Sequence, residues 1–181
     1  MQKSIWGGIV IWLALYLSLS GCAGGGRRIV VASPSDNLTV SLSLPAGWVT
    51  EGSVDEGMAD FVDQADPESR GTVFIWRAEG KDLAAWVEDY LENAAKLQQG
   101  AEMLGEAGEQ ALGYQLISRN EKQVGDYDAV ELVEEIGGKR SIMLLVKKAD
   151  RICQVSFNCK PQDWDKNEPL FRAGLAAVEV R

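Results

Sequence analysis

The 181-residue chain contains no histidine, and this absence excludes more chemistry than any other feature of its composition. Without imidazole there is no Ser-His-Asp or Cys-His nucleophile, no histidine general base, and no usual zinc or non-haem iron ligand set. The patterns Gly-Xaa-Ser-Xaa-Gly and Ser-Xaa-Xaa-Lys are missing as well. The sequence therefore predicts a protein that is not an enzyme, with no catalytic residue, no metal site and no cofactor.

Positive charge is also scarce, because 27 acidic residues stand against 18 basic ones and the net charge is −9 at pH 7. An acidic domain repels nucleic acid and anionic lipid, so nucleic acid is not a predicted partner. Residues 51–68 are acidic but contain no Asp-Xaa-Asp-Xaa-Asp-Gly calcium loop, and we interpret them as a solvated hairpin. We expect no acid to lie isolated among apolar residues, where burial would raise its pKa.

A long apolar run occurs at the N-terminus, where a basic start precedes the apolar residues 5–19 and two small residues. This order is typical of an export signal, and the run is shorter than the roughly 20 residues that a membrane-spanning helix needs. The Leu-Ser-Gly-Cys sequence at residues 19–22 resembles a bacterial lipobox, whose cysteine thiol receives a diacylglyceryl group. The resemblance implies a signal peptide over residues 1–21, cleavage between Gly21 and Cys22, and lipidation at Cys22.

Lipidation at Cys22 would determine where the protein works. Each buried acyl methylene contributes about 0.8 kcal/mol to membrane binding, so two or three chains hold a protein on a bilayer. The glycine-rich start of residues 22–36 predicts a flexible tether between the lipid and the domain. Ala23 stands where an aspartate is associated with inner-membrane retention, so in a cell with two membranes we predict the periplasmic face of the outer membrane.

Apart from Cys22 the chain has only Cys153 and Cys159, which an oxidising compartment would favour as a disulfide. On one extended strand six residues span about 20 Å, whereas a disulfide needs Cα atoms roughly 4.4–6.8 Å apart. We therefore predict two free thiols. Their even spacing places them on the same face as Val155 and Phe157, as small buried hydrophobes.

Alternating apolar residues predict several strands in residues 37–181, which we expect to be a single folded domain. The predicted strands are residues 38–44, 58–62, 72–76, 112–119, 128–136, 142–146 and 152–158. In the fourth of these we expect Leu112, Tyr114 and Leu116 to point inward. The sixth is apolar at every position, so we expect an interior strand that is covered on both faces.

Two helices are predicted from apolar residues that recur every three or four positions. The first runs from Leu83 to about Gln99, with Asp82 as its N-cap and Gly100 as its C-terminal stop. The second closes the chain, and Pro169 suits its first turn. This order of elements predicts an α+β fold, an antiparallel sheet flanked by helices in an α/β/α sandwich.

Three short motifs are spread over the predicted domain. They are Leu44-Pro45-Ala46-Gly47-Trp48, Val124-Gly125 with Ala129, and Cys153-Gln154-Val155-Ser156-Phe157 followed by Trp164, Phe171 and Leu175. In this order they resemble the PsbP-like superfamily, which includes the PsbP subunit of photosystem II and bacterial DcrB-type lipoproteins. The resemblance implies an α/β/α sandwich that serves as a non-enzymatic accessory or binding domain at a membrane. Manganese or calcium roles that depend on histidine do not carry over, because this chain has none.

Three functions are compatible with these observations. The first is an extracytoplasmic lipoprotein, held in the lipid bilayer by acylated Cys22, that contacts another protein of the cell envelope. The second is a lipoprotein that binds a small ligand or solute in a sugar or apolar pocket. Four tryptophans could line such a pocket, although core packing is the favoured interpretation of each: Trp48, Trp76, Trp86 and Trp164. The third is an enzyme that uses two carboxylates, which requires two buried, facing acids.

Overall fold

The computed structural model describes residues 26–55, 57–106, 108 and 112–181. The predicted signal peptide, the cleavage site at Gly21 and the lipidated Cys22 lie outside these described residues. Within the described ranges, no helix is long and apolar enough to cross a membrane.

The described chain forms antiparallel sheets and two long helices. The strands are β1 (Arg28–Ser33), β2 (Leu38–Ser43), β3 (Trp48–Asp55), β4 (Met58–Asp63), β5 (Arg70–Arg77), β6 (Tyr114–Val124), β7 (Tyr127–Ile136), β8 (Lys139–Lys148), β9 (Arg151–Cys159) and β10 (Glu179–Val180). The helices are α1 (Leu83–Met103) and α2 (Trp164–Ala176). One sheet has the order β1-β2-β10 and the other the order β3-β4-β5-β9-β8-β7-β6. This architecture confirms the predicted α+β class.

One face of the seven-stranded sheet packs against α2 and the three-stranded sheet. Aromatic side chains from several elements meet in this core: Trp48, Phe61, Phe157, Trp164 and Phe171. Phe157 of β9 stacks on Phe171 of α2 with ring centroids 5.2 Å apart, and Trp48 meets Phe157 edge-on at 5.4 Å. Trp48 and Trp164 are therefore core residues, which confirms the favoured interpretation of both.

The opposite face of the same sheet packs against α1. Asp82 caps this helix as predicted, because its carboxylate accepts a hydrogen bond from the Ala85 amide at 2.7 Å. Leu83 and Val87 of α1 are buried with apolar side chains of the sheet, namely Val130, Leu132, Met143, Leu145 and Ile152. Strand β8 is thus covered on both faces, and the predicted α/β/α layering is confirmed.

The two cysteines of β9 are free and buried, as their spacing predicts. Cys153 and Cys159 lie beside Val155 and Phe157 in the core beneath α2. Burial raises the pKa of the Cys153 thiol to about 12. The thiol therefore stays protonated at neutral pH and serves as a packing group rather than a nucleophile.

The folded domain begins at β1 and not at Asn37, so the tether predicted over residues 22–36 is wrong for residues 28–36. Ile29 and Val31 are buried and alternate with exposed neighbours, and β1 pairs with β2 along its whole length. This alternation predicts a strand, but the adjacent glycines and arginines obscured it. Residues 28–36 are therefore part of the folded domain.

An ion pair fastens the end of this N-terminal segment to the large sheet. Asp36 pairs with Arg151 of β9, and both side chains are mostly shielded from solvent. The hydroxyl of Ser33 also donates to Asp36, at 2.5 Å. The Arg151 guanidinium and this hydroxyl together lower the pKa of Asp36 to about 2, so its carboxylate is charged throughout the physiological range.

The bounds of both helices differ from the prediction, in α1 at a glycine and in α2 at a proline. Helix α1 continues through Gly100 and ends at Met103, because an interior glycine costs only about 1 kcal/mol and the packing of the rest of the helix offsets it. Helix α2 begins at the buried Trp164, directly after a short 3-10 turn, so Pro169 lies inside the helix and not in its first turn.

Strand β6 is an edge strand, and the inward facing predicted for residues 112–119 is wrong for Leu112 and Leu116. Leu112 and Leu116 are 39% and 38% exposed, while Tyr114 is half-buried. The register with β7 shifts between Leu116 and Ser118. Such a bulge interrupts the alternation from which the inward face was inferred.

Two glycines provide a test of the packing. A Cβ at Gly71 would lie 2.0 Å from a ring carbon of Phe61 and 2.8 Å from the Ser156 carbonyl oxygen, whereas a Cβ at Gly100 would meet nothing within 4 Å. We expect Gly71→Ala to lower the free energy of unfolding by about 1–3 kcal/mol through overpacking. Gly100→Ala should raise it by about 0.5–1 kcal/mol through helix propensity. Urea denaturation measures both, and equal effects of the same sign would contradict the described packing.

Candidate functional site

Helix α1 covers only part of its face of the seven-stranded sheet. It packs over β6 and β7 and reaches β8 and the start of β9, so the face formed by β4, β5 and the rest of β9 is left open. The side chains of this open face are half-buried or exposed: Met58, Asp60, Thr72, Phe74, Trp76, Gln154, Ser156 and Asn158. Strand register places them on one side, because Thr72, Phe74 and Trp76 pair with Ser156, Gln154 and Ile152.

Two cavities lie where α1 meets the open face. One of about 320 Å³ is lined by residues that include Trp76, Trp86, Tyr90 and Gln154. The other, of about 220 Å³, is lined by residues that include Tyr90, Glu134, Gln154 and Ser156. Since the two cavities share Tyr90 and Gln154, they form one concavity. We call it the α1 groove, and define it by Trp76, Trp86, Tyr90, Glu134, Gln154 and Ser156.

Aromatic rings on both sides of the α1 groove are held in fixed positions. On the sheet side, Trp76 stacks on Phe74 with centroids 4.1 Å apart, and its indole N–H donates to the Gln154 side-chain oxygen at 2.9 Å. On the helix side, Trp86 and Tyr90 are nearly parallel at 6.0 Å. Trp76 is nevertheless 41% exposed. A large apolar surface that is both rigid and accessible is typical of a binding site.

A buried carboxylate forms the inner wall of the α1 groove. Glu134 of β7 is only 4% exposed and accepts hydrogen bonds from the Tyr90 hydroxyl at 2.8 and 3.0 Å, and from Ser141 at 3.3 Å. Burial raises the pKa of Glu134, and these hydrogen bonds offset the rise only in part. Burial and the nearby carboxylate raise the pKa of Tyr90 too, so its hydroxyl remains a proton donor. The contact ties α1 to the sheet.

Glu134 corrects the expectation that no acid has its pKa raised by burial. Sequence reasoning missed it because acids are rarely buried. The available signal was that Glu131 and Glu134 occur inside the apolar strand β7, whose central residues are buried on both faces.

The second buried acid, Glu131, is a structural ion-pair partner. It accepts from Lys122 at 2.5 Å and from Arg172 of α2 at 2.7 Å. Burial acts to raise the pKa of Glu131, but the two cations outweigh it and hold the pKa below its ordinary value. Glu131 lies on the α2 side of β7 and Glu134 on the α1 side, so they are not the facing pair that a two-carboxylate mechanism requires.

The lysines that line the α1 groove are neutralised by acids. Lys81 pairs with Asp89 at 2.5 Å, and Lys139 pairs with Glu68 at 2.7 Å. Among the described residues, no cluster of three or more histidine, cysteine, aspartate or glutamate side chains could hold a metal ion. The groove therefore presents aromatic rings and neutral polar groups, and not a concentration of one charge.

The predicted site residues thus fall into two groups. Gly21 and Cys22 lie outside the described residues, so cleavage and lipidation stay predictions. Of the four tryptophans, Trp48 and Trp164 are in the core. Trp86 lines the α1 groove but is also partly buried against the core under α1, whereas Trp76 lies at the groove and is exposed. The prediction that Trp76 packs in the core is therefore wrong, because its strand β5 belongs to the open face that α1 does not cover.

No protein-family model and no curated protein sequence matches the chain. Solved structures do resemble it. Cyanobacterial PsbP (CyanoP) from Synechocystis has a TM-score of 0.58 at 14% identity, over 91% of this chain and 99% of that one. PA94 from Pseudomonas aeruginosa, described as a protein of unknown function and putative regulator, has a TM-score of 0.54 at 17% identity, over 83% and 95%.

LpqN from Mycobacterium tuberculosis, described as involved in cell envelope biogenesis, also resembles this chain. Its TM-score is 0.51 at 14% identity, over 85% of this chain and 90% of that one. The fold is therefore the PsbP-like fold, as the three sequence motifs imply. At such low identity the likeness concerns the fold, and function has to be argued from the α1 groove itself.

The opposite environments of the two buried glutamates predict opposite pH effects. The pKa of Glu134 is raised in the folded state, so its contribution to stability is present at low pH and is lost as the pH rises through the folded pKa. The pKa of Glu131 is lowered, so its contribution is present at neutral pH and is lost on acidification.

We therefore expect the stability of Glu134→Gln relative to the wild type to improve as the pH rises from about 4 to about 7. Glu131→Gln, on the same strand, should instead become relatively less stable over that range. Urea denaturation at both pH values measures the difference. The same trend in both variants would contradict the described environments.

Proposed function

We propose that this protein is an extracytoplasmic lipoprotein, anchored through Cys22, which acts by binding a component of the cell envelope in the α1 groove and not by catalysis. The observation that carries the proposal is the open face of the large sheet. Its strands β4, β5 and β9 are interior strands, paired on both sides. On this face α1 covers only the start of β9, and no other described element covers the remaining side chains. Accessible aromatic side chains on such a face favour an interaction surface.

The non-enzymatic part of the proposal rests on the same geometry. The two buried carboxylates are on opposite faces of the sheet, the buried Cys153 thiol stays protonated, and the chain has no histidine. The groups that remain in the α1 groove are suited to hydrogen bonding and stacking. These are the means of recognition rather than of bond cleavage.

The location rests on the N-terminal sequence and on one fold relative. The apolar run and the Leu-Ser-Gly-Cys motif favour export and lipidation. LpqN, which has this fold, is described as involved in cell envelope biogenesis. Because β1 begins at Arg28, only residues 23–27 separate Cys22 from the domain. Five residues span at most about 18 Å, so the anchored domain would stay close to the bilayer.

Lipidation is tested by Cys22→Ala in cells. The full chain should incorporate labelled palmitate and sediment with membranes, whereas the variant should lose the label. Cys159→Ala, which also removes a thiol, serves as the control and should keep both properties. Palmitate incorporation that survives in Cys22→Ala would refute the anchor.

The binding surface is tested with a photo-crosslinking amino acid placed in the full chain in cells. Position 156, on the floor of the α1 groove, should capture an envelope component on irradiation. Position 117, on the edge strand β6 and 44% exposed, is the matched control and should not capture it. Equal capture from both positions, or none from position 156, would count against the groove.

A further inference from the structure

The floor of the α1 groove cannot recruit a partner through its backbone. β5 pairs with β4 and β9, and β9 pairs with β5 and β8. Every one of these strands is interior, so its amide and carbonyl groups are engaged in the sheet. A peptide that adds itself as a strand needs a free edge. Recognition in the α1 groove must therefore come from side chains.

The charges of the α1 groove do not select an ionic ligand. The two lysines that line it are paired with Asp89 and Glu68. The oxygens of Glu134 are occupied by the Tyr90 and Ser141 hydroxyls. A phosphate or a carboxylate ligand needs cations that are free to bind it, and a cationic ligand needs acids that are free in the same way. The exposed acid that lines the groove, Asp89, is already paired with Lys81.

An acyl chain would also fit poorly. Gln154, Ser156 and Asn158 line the floor of the groove, and a lipid tail laid over them would bury their polar groups without partners. Each unsatisfied group of this kind weakens binding. The ligand must therefore supply hydrogen-bonding groups to the floor and an apolar surface to the aromatic rings.

A sugar ring has both properties, because its C–H groups form an apolar face and its hydroxyls project around the rim. Trp76 offers a flat, 41% exposed surface that Phe74 and Gln154 hold in place. The partly buried rings of Trp86 and Tyr90, which are nearly parallel, add apolar surface on the helix side. The amide and hydroxyl side chains of β9 both donate and accept hydrogen bonds, as sugar hydroxyls do. Two linked cavities suit several sugar units rather than one.

We infer that the α1 groove binds a neutral oligosaccharide, which stacks on Trp76 and is hydrogen-bonded by Gln154, Ser156 and Asn158. This inference rests on the proposed function, because it names the envelope component that the groove takes. The polar residues determine the orientation of the chain, while the aromatic rings contribute most of the contact area.

The test is isothermal titration of the full chain with neutral oligosaccharides. The protein is kept in a detergent that has no sugar headgroup, since a glycoside detergent would compete. The probes are tetrasaccharides of β-1,4-glucose, α-1,4-glucose and β-1,4-N-acetylglucosamine. We expect at least one of these series to bind, and we expect Trp76→Ala to weaken that binding about tenfold or more through the lost stacking and contact area.

Two further variants guard against a trivial result. Ser156→Leu adds bulk to the floor without removing a packed side chain, and it should also abolish binding. It keeps the inference testable even if Trp76→Ala fails to fold. Ile117→Ala removes an exposed apolar side chain outside the groove and should bind as the wild type does. Binding that is unchanged in both Trp76→Ala and Ser156→Leu would overturn the inference.

The outcome also separates this inference from the proposed function. If none of the three series binds while position 156 still captures a protein in cells, the carbohydrate ligand is overturned and the groove remains a binding surface. If no sugar binds and position 156 captures nothing, both are overturned. Capture of a glycan at position 156, with binding of a matching tetrasaccharide, supports both.

Discussion

The pairing of β5 with β9 is the contact on which the rest of the structure depends. It joins residues 70–77 to residues 151–158 in one continuous antiparallel register. Without it, the β3-β4-β5 meander and the β6-β7-β8-β9 meander would be two small sheets, each with an additional free edge. The pairing makes one wide sheet, and it brings Phe74 and Trp76 from the first meander next to Gln154 from the second.

The width of that sheet explains why a groove exists. A helix with its side chains is about 10 Å across, while neighbouring strands are spaced about 4.8 Å apart. One helix therefore covers two or three strands, and α1 packs over β6, β7 and β8. On the opposite face the three-stranded sheet assists α2, and that side is filled with aromatic residues. The open face is thus a consequence of having one covering element on one side and two on the other.

Sequence patterns predicted the elements whose signals are local. The helix that starts after Asp82 and the alternating strand β9 have strong periodicities, so their type and facing were predicted correctly. Strand β1 was missed because glycines and arginines adjoin its short alternation. The site was harder to predict. Trp76 is exposed because α1 leaves its part of the sheet uncovered, and Glu134 is buried where Tyr90, which is 44 residues away in the sequence, contacts it. Both facts depend on contacts between residues far apart in the chain.

The Asp36–Arg151 ion pair determines which end of β1 lies near Trp76 of the α1 groove. β1 is six residues long and spans about 20 Å from Arg28. Beyond its far end, Asp36 forms an ion pair with Arg151 at the start of β9. Arg151 is paired in the sheet with Arg77, the residue after Trp76. The N-terminal segment thus joins the domain at the Arg28 end of β1, whereas Trp76 of the α1 groove lies near the opposite end. If Cys22 is lipidated as proposed, Trp76 would lie farther along the chain path from the bilayer than the Arg28 end of β1 does. The groove would then lie on the part of the domain that is farther from the membrane.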